Sequence, residues 1–206
     1  MRHNGRMIQG QRDGDDVSGE DSGRWHSART LADLGWLTAL FLQGHIGQTP
    51  SHDGPPGRET ADLITALTAC NRAGFVTDNS QPGVPSDAYG SGQRAWVSGF
   101  ASNDVLARLR VAAAGTGLIV SAARADEDSP GPLIPVTLDY GEEFTWAGGG
   151  QPRSELEDHY GRLCHPDAIR AVCDAWQVNI IDPEWGRNDV LWPALEKFAA
   201  GWGTVS

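Results

Sequence analysis

Five consecutive hydrogen-bonding side chains, Thr77-Asp78-Asn79-Ser80-Gln81, follow the apolar run Phe75-Val76 and are closed by Pro82-Gly83. Such a row can satisfy its own turn, because Asn, Asp and Ser side chains bond readily to nearby backbone. It can also hold a small polar ligand, since hydroxyls and amides donate and accept and Asp78 adds a charge. A second set of acid–base groups is offered by Asp78 and Tyr89 with the acidic loop of Asp182, Glu184 and Asp189. The usual nucleophile signatures are missing: there is no GxSxG, no P-loop and no GxGxxG, and Gly148-Gly149-Gly150 reads as a flexible turn. Cys164 and His165 are chain neighbours, which does not make a nucleophile–base pair; His165-Pro166-Asp167 reads as a helix opening. No HxH or HExxH pair and no CxxC occurs, so no metal site is expected. Among the eight tryptophans, Trp146, Trp185 and Trp192 lie near polar loops, where a ring ligand can stack.

Something must position these groups. A chain of 206 residues with 39% hydrophobic content suits one domain with a real core. Its formal net charge of −11 argues against nucleic acid and anionic membrane as partners, and it is compatible with a cationic ligand. No run of about 18 apolar residues is present to span a membrane. Residues 1–22 are polar and rich in glycine and acid, without the apolar segment of a secretory leader. They read as a disordered acidic tail, with the domain proper over 23–206. Three widely spaced cysteines, Cys70, Cys164 and Cys173, build no disulfide framework, so a reducing cytoplasm is expected.

The apolar periodicity gives an amphipathic helix after Thr30, with Thr30 and Asp33 placed as a capping box and Gly44 as its end. Residues 48–57 are a Pro/Gly loop. A second helix runs from Glu59 to a stop at Gly74. Strand, long polar loop (78–92) and alternating strand "QRAWVSGF" follow, then a helix capped by Ser102 or Asn103. Strands are expected at "LIVSAA", "LIPVTLD", "EFTWAG" and "QVNIID". Helices are expected after His165 and around Pro193. Strands and helices mix throughout, which makes the class α/β or α+β: a single domain of mixed sheets flanked by helices.

"NRAGFVTDNSQPG" followed by "QRAWVSGF" resembles the C-terminal regulatory domain of eukaryotic methylenetetrahydrofolate reductases. There, an Asn-x-x-Gly helix end leads into a strand, Thr-x-Asn-Ser-Gln-Pro, a glycine-rich loop and a Gln-Lys/Arg-Ala-Tyr strand. "LFLQG" (40–44), Glu59-Thr60, "EFTWAGG" and "VNIIDPEWGRNDVLW" (178–192) are similar to further blocks of that family in the same order, so the resemblance spans roughly 31–200. It implies the same fold and a site for S-adenosylmethionine or S-adenosylhomocysteine. The matching ligand contacts are Glu59, Thr60, Thr77, Ser80 and Thr145. A carboxylate such as Glu59 suits the ligand's ammonium. Hydroxyls suit its amino-acid head, and aromatic faces suit a sulfonium or adenine. Thr60 at a helix start would bring free backbone N–H groups to a carboxylate.

The catalytic barrel of that family, with its flavin and folate sites, has no counterpart in these residues, so folate reduction is not expected of them. The loop "PSDAYGSG" is shorter than the family's, and "AGGGQPRSEL" differs after Trp146. The leading expectation is a stand-alone sensor that binds the nucleoside and acts on a partner protein or as a homodimer. An enzyme consuming S-adenosylmethionine and an interaction domain without ligand are the alternatives.

Overall fold

The computed structural model describes residues 13–127 and 131–201. Within them the chain begins with α1 (Asp13–Ser27) and α2 (Leu31–Leu42). The capping box is formed: Thr30 Oγ1 accepts the Asp33 N–H, and the Asp33 carboxylate accepts the Thr30 N–H. A small hairpin follows, β1 (Gln48–Thr49) and β2 (His52–Asp53), then a 3-10 turn (Arg58–Leu63) that runs into α3 (Ile64–Arg72). Gly74, at φ +94°, ends that helix in the left-handed region.

The main sheet is built from β3 (Val76–Gln81), β4 (Gly92–Ala101), β5 (Ile119–Ala123), β6 (Ile134–Asp139), β7 (Glu142–Ala147) and β8 (Trp176–Trp185). Its order is β5-β8-β4-β6-β7, with β3 also on β4. Every pairing among the described strands is antiparallel, so the mixed α/β class takes its α+β form. β3 and β6 share one edge of the long β4: β3 covers Trp96 to Phe100, and β6 covers Gly92 and Gln93. Gln81 fills the junction. Its amide donates to the carbonyls of Arg94 (3.0 Å) and Val136 (2.8 Å), and it accepts from Thr137 Oγ1.

Four more helices complete the domain: α4 (Asn103–Ala113), α5 (Arg153–Gly161), α6 (Pro166–Cys173) and α7 (Leu191–Ala200). Ser102 caps α4, and His165 caps α6 through its ring Nδ1. One large apolar cluster joins α2, α3, α4, α6 and α7 to β3, β4 and β8, with Leu34, Leu67, Phe75, Val97 and Leu195 at its centre. No helix among the described residues is long and apolar enough to cross a membrane.

Several features differ from the sequence reading: residues 48–57, read as a loop, hold the β1–β2 hairpin, and Glu59 to Leu63, read as the start of a helix, lie in the 3-10 turn, with α3 beginning at Ile64. Residues 13–22, read as tail, belong to α1. That helix is tied down by the buried Asp21 carboxylate, which accepts the Gly47 N–H, and by Trp25 Nε1, which donates to the Gln48 carbonyl. Residues 1–12 of the expected tail lie outside the described residues. Asp78 to Gln81, read as loop, continue β3. Helix α5 was not foreseen. It offers only Leu156 and Tyr160 as fully buried residues, and Pro and Gly precede it.

Candidate functional site

The wall of a cleft of about 380 Å³ is made by β3, the β1–β2 hairpin, the 3-10 turn, α2 and α5. That volume is within the range of small-molecule sites. Four of the five residues singled out in the sequence converge on it: Glu59 and Thr60 from the 3-10 turn, Thr77 and Ser80 from β3. Trp25, Leu34, Phe41 and Val76 give it an apolar floor. The Phe41 and His52 rings meet edge to face at 6.1 Å.

Thr77 is held from behind. Asn71, buried at the end of α3, donates its amide to Thr77 Oγ1 (2.6 Å) and to the Leu67 carbonyl (2.9 Å), and its Oδ1 accepts the Thr77 N–H (3.0 Å). The hydroxyl proton of Thr77 is left for the cleft. Ser80 Oγ, Thr60 Oγ1, the Glu59 carboxylate and the His159 ring have no hydrogen bond or ion pair among the described residues, although all four line the cleft. Asn71, Gln81, Gln177 and Asn179 are all bonded within the protein.

Asp78 adds a second acid. Ser51 Oγ on the hairpin donates to its Oδ1 at 2.9 Å. Burial pushes the Asp78 carboxyl above its ordinary range, against the opposing pull of the Ser51 hydrogen bond and of His159. Tyr160, on α5, is raised well above the usual phenol range by burial, with the Asp78 charge adding to it. Among the described residues no lysine or arginine lines the cleft; its titratable lining is the carboxyls of Glu59 and Asp78, the rings of His52 and His159, and the Tyr160 phenol.

A smaller cleft of about 260 Å³ shares Asp78, Asn79 and Gln151 with the first. Its far wall is Trp146 with Gly148 to Gly150. This glycine run is not a free turn: Ser121 Oγ donates to the Gly148 carbonyl, Asn179 Nδ2 to the Gly149 carbonyl, and Gln151 exchanges two bonds with the Gln177 amide. Thr145, the fifth residue singled out, stands exposed on β7 opposite Thr137 and lines neither cleft. The neighbouring Trp146 faces the smaller cleft instead, because successive strand residues point to opposite faces.

The chain matches over residues 20–201 a family model described as "Domain of unknown function (DUF6919)". It belongs to that family. None of the curated proteins matches it. The DUF6919 match takes in every residue of the cleft described above, and also Asp21 of α1, which with Trp25 braces the start of the hairpin.

Other groups that the sequence offered lie apart from the DUF6919 cleft. Asp182 is fully buried and grips the Arg187 guanidinium at 2.6 to 3.0 Å, and it also accepts the Glu184 N–H. That acidic loop is a structural clasp, and Glu184 and Asp189 line neither cleft. Tyr89 is exposed beside Tyr140. Trp185 lies under the Arg94 guanidinium, and Trp192 is buried with its Nε1 donating to Asn188, so of the three tryptophans only Trp146 faces a cleft. The Thr60 N–H is spent on the Gly57 carbonyl at 2.9 Å, because the turn there is 3-10; the free amide expected at Thr60 is not available. Sequence reasoning did not single out Ser51, His159 or Tyr160. Only the folding of the hairpin and of α5 over β3 brings them to the cleft. No group of three His, Cys, Asp or Glu residues among the described residues is placed to hold a metal ion.

Proposed function

We propose that the chain is a binding module for a small ligand with a positive charge and a polar head, of the kind of S-adenosylmethionine and S-adenosylhomocysteine, taken up in the cleft between β3 and the β1–β2 hairpin. The observation that carries the reading is that Glu59, Thr60, Thr77 and Ser80, separated by up to 21 residues in sequence, line one cleft, where the Glu59, Thr60 and Ser80 side chains have no partner among the described residues and Thr77 keeps its hydroxyl proton. Water can satisfy these exposed or half-exposed groups in the free protein, and a polar ligand entering the cleft would take its place. The acidic lining suits an ammonium or sulfonium, and the Phe41 and Trp25 rings suit the apolar remainder. Thr145 is not part of this assignment.

The role that fits is a sensor acting on a partner protein or through a second copy of itself, without consuming the ligand. Three free, buried thiols suit a reducing cytoplasm as its setting. The test is calorimetric titration with S-adenosylmethionine and with S-adenosylhomocysteine, followed by mass spectrometry of the mixture. Saturable binding with the ligand recovered intact supports a sensor. Turnover of the ligand makes the chain an enzyme, and no heat and no thermal stabilisation at millimolar ligand removes the assignment.

A further inference from the structure

A regular strand would turn Asp78 away from the face that carries Thr77 and Asn79. β3 is not regular there. Thr77 pairs with Gly99 and Asn79 with Ser98, so Asp78 is the extra residue of a β-bulge. As a result Thr77, Asp78 and Asn79 all line the same cleft. Gly99 makes room for the distortion: a Cβ there would stand 2.2 Å from the Val76 carbonyl oxygen and 2.9 Å from the Thr77 Cα.

The bulge therefore delivers an acid to the cleft wall and orients it. Ser51 holds one carboxylate oxygen, and no lysine, arginine or histidine forms an ion pair with Asp78 among the described residues. The cation that acts on Asp78 within the protein is the His159 ring when protonated, and a half-buried carboxylate gains more from the fixed charge that a cationic ligand would bring. The other titratable groups around the cleft are His52 on the hairpin, Glu59 on the 3-10 turn, and His159 and Tyr160 on α5. Glu59, at the exposed rim, works in the same direction as Asp78, and His159, when protonated, works against a cation.

We propose that Asp78 is the specificity-determining residue of the cleft, selecting a ligand with a fixed positive charge, such as a sulfonium, over its uncharged thioether counterpart. This rests on the binding role proposed above and names which of the two nucleosides the site prefers. The raised Asp78 carboxyl supports it, because a cation bound beside the carboxylate would expel its proton and affinity would rise with pH.

The experiment titrates the wild-type chain and Asp78→Asn with S-adenosylmethionine, with S-adenosylhomocysteine, and with trimethylsulfonium as a bare cation, read by calorimetry and by the fluorescence of Trp25 in the cleft floor. The amide keeps the shape and can still accept from Ser51, so the variant is expected to fold; a thermal melt checks that. Expected is a preference for the sulfonium of about tenfold or more in the wild type, lost in Asp78→Asn with the thioether affinity little changed. Equal affinities in the wild type, or a preference that survives in the variant, overturns the role of Asp78 while leaving the nucleoside assignment standing. If neither nucleoside binds but trimethylsulfonium binds the wild type and not the variant, Asp78 stands and the nucleoside assignment falls. Failure of all three ligands overturns both.

Discussion

Replacing Asn71 by alanine should separate the scaffold of the cleft from its contacts. Asn71 is buried and bonds Thr77 twice, at the hydroxyl and at the backbone N–H. The alanine leaves that N–H without its partner, worth about 2 kcal/mol, and forfeits the hydroxyl bond, worth about 1 kcal/mol. The Leu67 carbonyl, which also accepts from the Asn71 side chain, remains within the helix ladder, so its loss adds little. The expected destabilisation is about 3 kcal/mol, a fall of ~9 °C in melting temperature for a domain of this size. Urea unfolding is the assay, and the midpoint should move with the slope unchanged. Thr77→Val is the companion variant. It keeps the N–H bond to Asn71 Oδ1 but takes the acceptor from one buried Asn71 Nδ2 hydrogen, so it should cost about 1 to 2 kcal/mol, less than Asn71→Ala, while weakening nucleoside binding about tenfold. An Asn71→Ala loss below about 1 kcal/mol would show that the clamp does not hold β3, and the reasoning would fail.

Three further outcomes follow from single features. Because burial holds the Asp78 carboxyl above its ordinary range, the folded state binds that proton more tightly than the unfolded chain, and the contribution to stability is lost as pH rises through the raised value; Asp78→Asn should therefore melt higher than wild type at neutral pH, with the gap closing below about pH 4. Gly99→Ala should cost about 2 kcal/mol or more and abolish nucleoside binding, since backbone atoms of Val76 and Thr77 occupy the space its methyl needs; a variant that binds normally would show that the bulge is dispensable. Burial pushes the Cys70 and Cys164 thiols up to about 12, so Ellman's reagent should leave both unmodified in the folded protein and label them on unfolding.

Local chemistry made part of this structure legible from residues alone. Thr30 with Asp33, Ser102, His165-Pro166 and Gly74 are helix boundaries written in single side chains, and the structure uses each of them as read. What depended on distant partners was not legible. The strand character of Asn79 to Gln81 comes from pairing with Trp96 to Ser98, and the bulge at Asp78 exists only against Gly99. Helix α1 is polar by composition and is secured by Asp21 and Trp25 reaching to Gly47 and Gln48. The hairpin that brings Ser51 to Asp78 has strands of two residues each, too short to leave a periodic signal. Of the five residues taken from the family resemblance, four gather at one cleft because the 3-10 turn before α3 carries two of them and β3, which follows α3, carries the other two. Thr145 does not, because the β6–β7 hairpin turns its side chain away from both clefts.

The most direct test of the binding role is a crystal structure of the chain grown with S-adenosylmethionine in excess. The account predicts the ligand between β3 and the β1–β2 hairpin, with Thr77 and Ser80 at its polar head and its positive centre beside Asp78. A ligand seated elsewhere, or an empty cleft at saturating concentration, would contradict it.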